Sequence, residues 1–144
     1  MRVERERERE AKYYCQDIIS FCKRNSGKEK FDYILGMYNF LCGIEKEARK
    51  EFIDDVYSML KPCGKIILRV KYIRYNPKEI IRSFVSFLYW TFVMGKRWQL
   101  GDVLLRSSKD EFCKSHYFTK KQIRILLNEK KYMINGDTII IQKC

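Results

Sequence analysis

The sequence predicts an α/β fold, in which a partial, open sheet of parallel strands is followed by a C-terminal antiparallel hairpin. Residues 31–37 (FDYILGM) are apolar with little alternation, as in a strand that helices cover on both faces. Residues 44–60 show the periodicity of an amphipathic helix, and residues 65–70 (KIILRV) form a second β-rich strand. Two such strands joined by a helix are typical of parallel neighbours with a right-handed crossover.

The helix predicted over residues 44–60 has the clearest apolar stripe in the chain. Its apolar residues recur every four positions, and Pro62 and Gly64 are expected to end it. The stripe contains Ile44, Ala48, Phe52, Ile53, Val56, Met59 and Leu60, and the face expected to point into solvent contains Glu45, Lys46, Arg49 and Lys50.

A second helix is predicted to begin at Asn76-Pro-Lys-Glu79, where asparagine is an N-cap, proline takes the first helical position and an acid takes the third. This helix carries an aromatic run over residues 80–94. Its weakly polar part, residues 83–94, spans about 12 residues, whereas a bilayer needs about 20. We expect it to be buried as a core helix. The alternatives are a membrane surface or the wall of an apolar pocket.

Other local patterns predict a further strand, a loop, a short helix and the final hairpin. Residues 13–21 contain a strand candidate, 15–19, that ends near Asp17, and residues 95–108 are expected to be a basic loop. Thr119 and Gln122 have the spacing of a capping box at the start of a helix. Asn135-Gly136 is a strong turn signal between strands over residues 132–134 and 138–141.

The charge of the chain is strongly basic and unevenly distributed. The formal net charge is +12, and residues 65–109 contain ten Lys and Arg against two acids, Glu79 and Asp102. Such a face favours anionic partners, namely nucleic acid, acidic lipid or a phosphorylated substrate. The alternative is a solvated face with no partner.

The cysteine and histidine content predicts a reducing compartment and gives no sign of a metal site. The six cysteines include no CxxC pair and no signal peptide precedes them, so we expect reduced, mostly buried thiols in a cytoplasmic protein. His116 is the single histidine, which argues against a histidine-based metal site. Residues 1–12, in which Arg and Glu alternate, are predicted to be a charged tail before one domain over residues 13–144.

Three motifs, in this order, resemble the C-terminal two-thirds of class I S-adenosylmethionine-dependent methyltransferases. They are Phe31-Asp-Tyr-Ile34, Leu60-Lys-Pro-Cys-Gly-Lys65 and His116-Tyr-Phe-Thr119. The resemblance covers residues 13–143 and implies part of that family's Rossmann-like sheet, which ends in an antiparallel strand. Cys63 stands where the family has one of two adjacent glycines.

The resemblance also implies a set of residues that contact the cofactor, S-adenosylmethionine. Asp17 would accept a hydrogen bond from the adenine amino group and the N–H of Ile18 would meet the adenine ring, while Gly36, Met37 and Tyr38 would lie beside the methionine part. The non-functional readings are a loop cap for Asp17 and close packing for Gly36. No catalytic residue is implied. The family's glycine-rich cofactor turn is absent, because the seven glycines of this chain lie too far apart to form it.

Two functions follow from these observations. The first is a methyltransferase-like protein, truncated or degenerate, that acts on a small amphiphilic or anionic acceptor when upstream sequence or a partner supplies the missing cofactor turn. The helix over residues 80–94 and the basic residues 96–98 would then cover the acceptor. The second is a non-catalytic interaction module that binds a protein partner or nucleic acid through the basic face at 65–109. An exposed sheet edge would favour a homo-oligomer or a partner subunit in either case.

Overall fold

The computed structural model describes residues 17–28, 31–37, 39–73, 76–95, 97–106 and 112–143. The predicted tail over residues 1–12 and the first part of the strand predicted over 15–19 therefore lie outside the described residues. The helices and strands of the described part are α1 (Ile18–Asn25), β1 (Phe31–Gly36), α2 (Lys46–Ser58), β2 (Leu60–Arg69), α3 (Pro77–Leu88), β3 (Asp102–Arg106), β4 (Phe112–His116), α4 (Lys120–Leu126), β5 (Lys131–Asn135) and β6 (Thr138–Gln142).

A mixed four-stranded sheet in the order β1-β2-β6-β5 forms the main layer. β1 runs parallel to β2, with Ile34 opposite Ile66 and Gly36 opposite Leu68, and α2 makes the crossover between them. β6 pairs antiparallel with both β2 and β5. The predicted parallel pair and the terminal hairpin are thus confirmed. The other two strands, β3 and β4, form a separate antiparallel hairpin.

The core lies between this sheet and α2. Ile66 and Leu68 on β2 alternate with half-buried neighbours, and the apolar stripe of α2 packs on the same core cluster. Full burial of one such aliphatic side chain contributes roughly 1.5–3 kcal/mol. The stripe predicted from periodicity is confirmed, although α2 itself begins at Lys46, after a short 3-10 helix over Phe40–Gly43.

β1 lies at one edge of the sheet and presents apolar side chains to solvent. Tyr33, Leu35 and Met37 are exposed, Tyr33 to 64%. Between them, Gly36 lies so close to β2 that an added Cβ would come within 2.5 Å of the Leu68 side chain. The close-packing explanation of Gly36 therefore has a physical basis in this structure.

The segment with Pro62 and Gly64, which was expected only to end the helix, forms a bulge at the start of β2. Phe31 lies opposite Leu60 but Tyr33 lies opposite Lys65, so the extra residues of β2 loop out. Cys63 takes a left-handed conformation there, with φ of 62°. At Gly64 an added Cβ would lie 2.9 Å from two carbonyl oxygens, those of Lys61 and Phe31. The second position of the turn therefore requires glycine for space, and the first favours it for backbone conformation.

Two of the predicted elements are wrong. Residues 18–19, expected in a strand, belong to α1, because the Asp17 carboxylate accepts a 2.8 Å hydrogen bond from the Ser20 N–H and caps that helix. Residues 102–106, expected in a loop, form β3. β3 has only five residues, too few for a clear alternation of apolar and polar side chains, and its partner strand β4 lies beyond residues 107–111. The local sequence therefore gave little sign of this strand.

The aromatic helix is confirmed as a helix, but the expectation that it is buried is wrong. Asn76 caps α3 through the Glu79 N–H as predicted. Its inner side, however, contacts the β3–β4 hairpin through Ser86, whose hydroxyl donates to the Arg82 carbonyl and accepts from the Leu104 N–H. Its apolar face therefore points outward, as does that of the π-helical turn at Tyr89–Val93, where Phe92 is 75% exposed.

The last helix and the terminal hairpin agree with the predictions from the sequence. Thr119 and Gln122 form the complete capping box of α4. In the terminal hairpin Asn135 already pairs with Thr138, so the two turn residues are Gly136 and Asp137. Gly136 has φ of 58°, as the first central residue of a type II′ turn requires.

We predict that Cys63→Gly stabilises the protein, by about 0.5–1 kcal/mol. A residue with a Cβ loses roughly 1–2 kcal/mol in the left-handed region, and part of that gain is offset by the greater freedom of glycine in the unfolded chain. Urea unfolding monitored by circular dichroism measures the change. Cys63→Val, which adds a β-branched side chain at the same φ, should lower the stability. Equal stability of Cys63→Gly and Cys63→Val would contradict the explanation.

Candidate functional site

The carboxyl ends of β1 and β2 point to the same edge of the sheet, and the segments that follow them meet there. α2 begins at this edge after β1. After β2 the chain continues through residues 71–73, which pair with Phe118: the Phe118 N–H donates to the Lys71 carbonyl and the Ile73 N–H donates to the Phe118 carbonyl. In open α/β sheets, ligands bind in the crevice outside these strand ends. This edge is therefore where a site is expected.

The β3–β4 hairpin brings a buried acid and the single histidine together at this edge. Asp102 and His116 are opposite one another in the hairpin and each is only 1% exposed. His116 Nδ1 lies 2.8 Å from Asp102 Oδ1. Gly101, at φ of 106°, leaves room for the pair, since an added Cβ would lie 3.1 Å from the imidazole and 2.1 Å from the Tyr117 carbonyl.

Three donors hold Asp102 in its ionised form. Besides His116, the Gln99 N–H donates to Oδ2 at 2.9 Å and the Lys114 ammonium lies 3.4 Å away. Burial opposes ionisation, but the His116 hydrogen bond, the Lys114 charge and the Gln99 N–H hold the pKa of Asp102 below its ordinary value. An ionised carboxylate only accepts hydrogen bonds, so the hydrogen between the two side chains is on Nδ1 of His116.

The other ring nitrogen of His116 is buried and has no hydrogen-bond partner in the described part of the protein. The ring packs edge-on against Phe118, with 4.8 Å between centroids. In a neutral ring with the hydrogen on Nδ1, Nε2 is a hydrogen-bond acceptor. A buried, unsatisfied polar atom costs about 1–3 kcal/mol and calls for an explanation.

Arg49 is buried, contrary to the expectation that it faces solvent. It is 7% exposed, its Nε donates to the Ile44 carbonyl at 2.8 Å, and its guanidinium lies 5.0 Å from the Phe118 ring centroid. Burial lowers the pKa of Arg49, and nearby acids, Asp102 first among them, oppose this. The stem of an arginine readily covers apolar surface while its head stays charged, so helical periodicity alone placed it on the wrong face.

A cavity of about 550 Å³ lies between the start of α2, the Gln99–Leu100 segment, His116, Phe118 and α4. Its cationic side chains are Lys46, Arg49 and Lys50, and none of the described residues that line it is acidic. Gln122 forms part of the wall and is fixed at both ends of its amide: Oε1 accepts from the Thr119 N–H and Nε2 donates to the Leu100 carbonyl. We call this the basic cavity.

A second, apolar groove adjoins the basic cavity and shares Leu100 with it. Its volume is about 290 Å³. The wall is formed mainly by side chains of α3, including the largely exposed Ile80 and Phe84, and by residues that precede β3. Its large side chains are Ile73, Ile80, Phe84, Phe87, Trp98, Leu100, Val103 and Tyr117.

The residues predicted to contact the cofactor lie at two places in the described structure. Asp17 and Ile18 are exposed at the N-terminus of α1, where the Asp17 carboxylate caps the helix. Gly36 and Met37 lie at the carboxyl end of β1, where Met37 is exposed. Tyr38 lies outside the described residues. Their role toward a cofactor stays a prediction.

The fit to S-adenosylmethionine is partial. An exposed carboxylate at a helix start and an open strand end are groups that can meet an adenine and an amino acid, respectively. The glycine-rich turn that would place backbone N–H groups around the cofactor is not in the sequence. These residues thus supply at most one side of such a site.

Sequence reasoning missed the pair of Asp102 and His116. Each was noted singly, Asp102 as one of two acids in a basic segment and His116 as a lone histidine. The signal that could have joined them is the hairpin itself, because strands that begin at Asp102 and end at His116 place these two residues opposite each other. Without β3, a separation of 14 positions along the chain gave no reason to connect these two residues.

No protein-family model matches the chain, and no curated protein is significantly similar to it. Its fold is similar to that of an S-adenosylmethionine-dependent methyltransferase from Methanosarcina mazei, with a TM-score of 0.58 and 22% identity over 78% of this chain and 59% of that one. The chain has a methyltransferase-like fold. It spans about three fifths of the length of that protein.

A second structure, the S-adenosylmethionine-bound amino pentose methyltransferase CalS10 from Micromonospora echinaspora, matches with a TM-score of 0.41 and 12% identity, over 81% of this chain and 60% of that one. At this score it adds no support.

The described residues contain neither a metal-binding cluster nor a membrane-spanning helix. Within the described residues, no three or more His, Cys, Asp or Glu side chains lie together in a way that could hold a metal ion. No described helix has both the length and the apolar character that crossing a membrane requires.

We predict that Asp102→Asn lowers the free energy of unfolding at pH 7 by about 1–3 kcal/mol. The amide NH₂ would face either the Nδ1–H of His116 or the Gln99 N–H, so two donors would meet and one would stay unsatisfied. Urea unfolding measures the loss. Asp32→Asn is the matched control, because it removes an exposed ion pair with Lys61 and should cost under about 1 kcal/mol.

The difference between wild type and Asp102→Asn should narrow in acid. The folded pKa of Asp102 is lowered, so its contribution is complete above the unfolded pKa of about 3.9 and is lost as pH falls through the folded pKa. A difference that stays constant from pH 7 down to pH 2 would contradict the ionised assignment.

Proposed function

We propose that this chain is part of an S-adenosylmethionine-dependent methyltransferase of the cytoplasm, with the glycine-rich cofactor turn supplied by upstream sequence or by a partner subunit. The observation that supports it most is the sheet: a parallel β1–β2 pair with an antiparallel β6 beside it, in a fold similar to that of a methyltransferase. The cytoplasmic location rests on the cysteine content alone.

The exposed edge of β1 supports the idea that another segment of protein completes the sheet. Tyr33, Leu35 and Met37 line this edge strand with apolar surface, and unpaired strand edges readily accept a further strand. In a doubly wound sheet, strands such as β1 are covered on both faces. A segment that supplied the cofactor turn would lie against β1 at this edge of the sheet.

The acceptor that the two cavities fit is small and either anionic or amphiphilic. The basic cavity offers Lys46, Arg49 and Lys50, and the apolar groove on the other side of Leu100 offers aromatic side chains. A molecule with an acidic head and an apolar body could occupy both. The combined volume is within the range of small-molecule sites, about 300–1,000 Å³.

Methyl transfer depends mainly on how the two reactants are held. Bound S-adenosylmethionine would supply an electrophilic methyl group, and proximity and alignment contribute most of the rate enhancement that such a reaction needs. In this chain Asp17 and Ile18 would hold the adenine and Gly36, Met37 and Tyr38 the methionine end. The basic cavity would orient the acceptor.

We predict that S-adenosylmethionine binds with a Kd in the micromolar range to the tagged chain purified from its own cells, so that a bound partner is retained. Calorimetric titration measures it. Asp17→Ala and Asp17→Ser should each weaken binding about tenfold, which corresponds to about 1.4 kcal/mol in binding free energy. Only Asp17→Ala should also lower the melting temperature, since serine still caps α1.

Absent or millimolar binding would contradict a cofactor site in this protein. Wild-type affinity in Asp17→Ser would leave Asp17 as a helix cap and nothing more.

A non-catalytic interaction module is the second candidate, and the charge of the described surface favours it. In the basic face at 65–109 the exposed cations outnumber the acids, and the one described ion pair within it joins Arg82 to Glu79. The exposed cations are Arg69, Lys71, Lys78, Arg82 and Arg97. This face would bind nucleic acid or an acidic protein, with the β1 edge as a second contact.

We predict that Leu35→Lys separates the chain from whatever associates with the β1 edge, a second copy or a partner. A charge placed in a strand edge opposes strand addition. Analytical ultracentrifugation of the protein purified from its own cells measures the loss of the larger species. Met133→Lys is the matched control, because Met133 is similarly exposed on β5, the opposite edge strand. A wild-type protein that sediments as a lone monomer would rule out the contact.

A further inference from the structure

We propose that the basic cavity binds a small organic anion that carries a hydroxyl group, with the acid group near Lys46, Lys50 and Arg49 and the hydroxyl donating a hydrogen bond to Nε2 of His116. Such a ligand would be the methyl acceptor of the proposed methyltransferase. Only its methylation rests on that proposed function. Binding itself requires nothing outside the described residues.

The first argument is the unsatisfied nitrogen. Nε2 of His116 is buried and has no partner among the described residues, and the His116 side chain, which is 1% exposed, lines the basic cavity. A histidine that serves only the core either has both nitrogens bonded or lies in apolar surroundings. Here one nitrogen is bonded to a carboxylate and the other is unbonded, in a side chain that lines a cavity with three cations.

The second argument is the direction of the missing hydrogen bond. When the ring is neutral, the Asp102 carboxylate places its hydrogen on Nδ1, and Nε2 then has a lone pair that can accept a hydrogen bond. The group that satisfies it must donate. A carboxylate or a carbonyl cannot do so, whereas a hydroxyl can. An anion alone therefore leaves the site incomplete.

The third argument is the fixed position of Arg49, one of the three cations of the cavity. Arg49 is held by the Ile44 carbonyl and by the face of Phe118, and the same Phe118 ring makes a T-shaped contact with His116. The two groups are thus mounted on one aromatic side chain. Lys46 and Lys50, the first and fifth residues of α2, are exposed and can adjust to a carboxylate or phosphate.

The remaining walls select an apolar body between the two polar ends. Phe118, Leu100, Ile125 and Leu126 line the cavity, and a volume of about 550 Å³ accommodates one substituted ring. The same geometry lets His116 act as a base. The hydroxyl proton would pass to Nε2, the oxygen would keep the electron pair, and the Asp102 carboxylate would stabilise the resulting imidazolium.

Three probes separate the parts of this proposal: 4-hydroxybenzoate has both polar ends, benzoate lacks the hydroxyl, and 4-hydroxybenzyl alcohol lacks the acid. We expect 4-hydroxybenzoate to bind at least about tenfold more tightly than either of the others, by calorimetry on the full chain without S-adenosylmethionine. Lys50→Gln should weaken both acids and leave the alcohol unchanged. Lys78→Gln, an equally exposed lysine on α3, is the matched control.

The ring nitrogens of His116 give a second readout that does not depend on a variant. Because it is the only histidine, its ¹⁵N signals are unambiguous in the labelled protein. We expect the free protein to show the tautomer with hydrogen on Nδ1, and 4-hydroxybenzoate, but not benzoate, to shift the Nε2 signal. Equal affinities for the three probes, an unshifted Nε2 signal or hydrogen on Nε2 would each overturn the proposal.

Failure here and failure of the proposed methyltransferase are distinguishable. The calorimetric titrations contain no S-adenosylmethionine, so failure of 4-hydroxybenzoate to bind concerns the basic cavity alone. A protein that binds 4-hydroxybenzoate as expected but never binds S-adenosylmethionine would retain the anion site and lose the methyltransferase.

Discussion

The whole structure depends on β2 having a partner on each side. Its parallel pairing with β1 requires the α2 crossover, and its antiparallel pairing with β6 brings the end of the chain back into the middle of the sheet. Ile66 and Leu68 of β2 and Ile139 and Ile141 of β6 are almost fully buried, so these contacts carry much of the core. Burial of this kind is the main favourable term in folding.

The same arrangement explains where the cavities are. Because β1 and β2 are parallel, the chain leaves both strands at the same end of the sheet. The segment that follows β2 contains α3 and the β3–β4 hairpin. Residues 71–73 at its start pair with Phe118, and the basic cavity lies between this segment, α4 and the first turns of α2.

The exposed apolar surfaces have two separate causes. On β1 the exposed side chains, Tyr33, Leu35 and Met37, alternate with Ile34, which packs on the core, so they lie on the face of the strand that points away from the core. On α3 they are exposed because Ser86 attaches the opposite side of the helix to β3. Large apolar patches of this sort mark interaction surfaces in most proteins.

Much of the fold was predictable because it is encoded in neighbouring residues. The stripe of α2, the Asn76 and Thr119 caps and the Gly136 turn each depend on contacts within a few positions, so the sequence specifies them directly. The parallel pair followed from the helix between two apolar strands.

The candidate site was not encoded in this way. The sequence by itself determined that Asp102 and His116 exist, that Arg49 lies on a helix and that residues 80–94 are apolar. Tertiary structure alone decided that the first two meet, that Arg49 stacks on Phe118 and that the apolar face of α3 points outward. The physical reason is range: each of these outcomes depends on how one element packs on another far along the chain, and local periodicity carries no information about that choice.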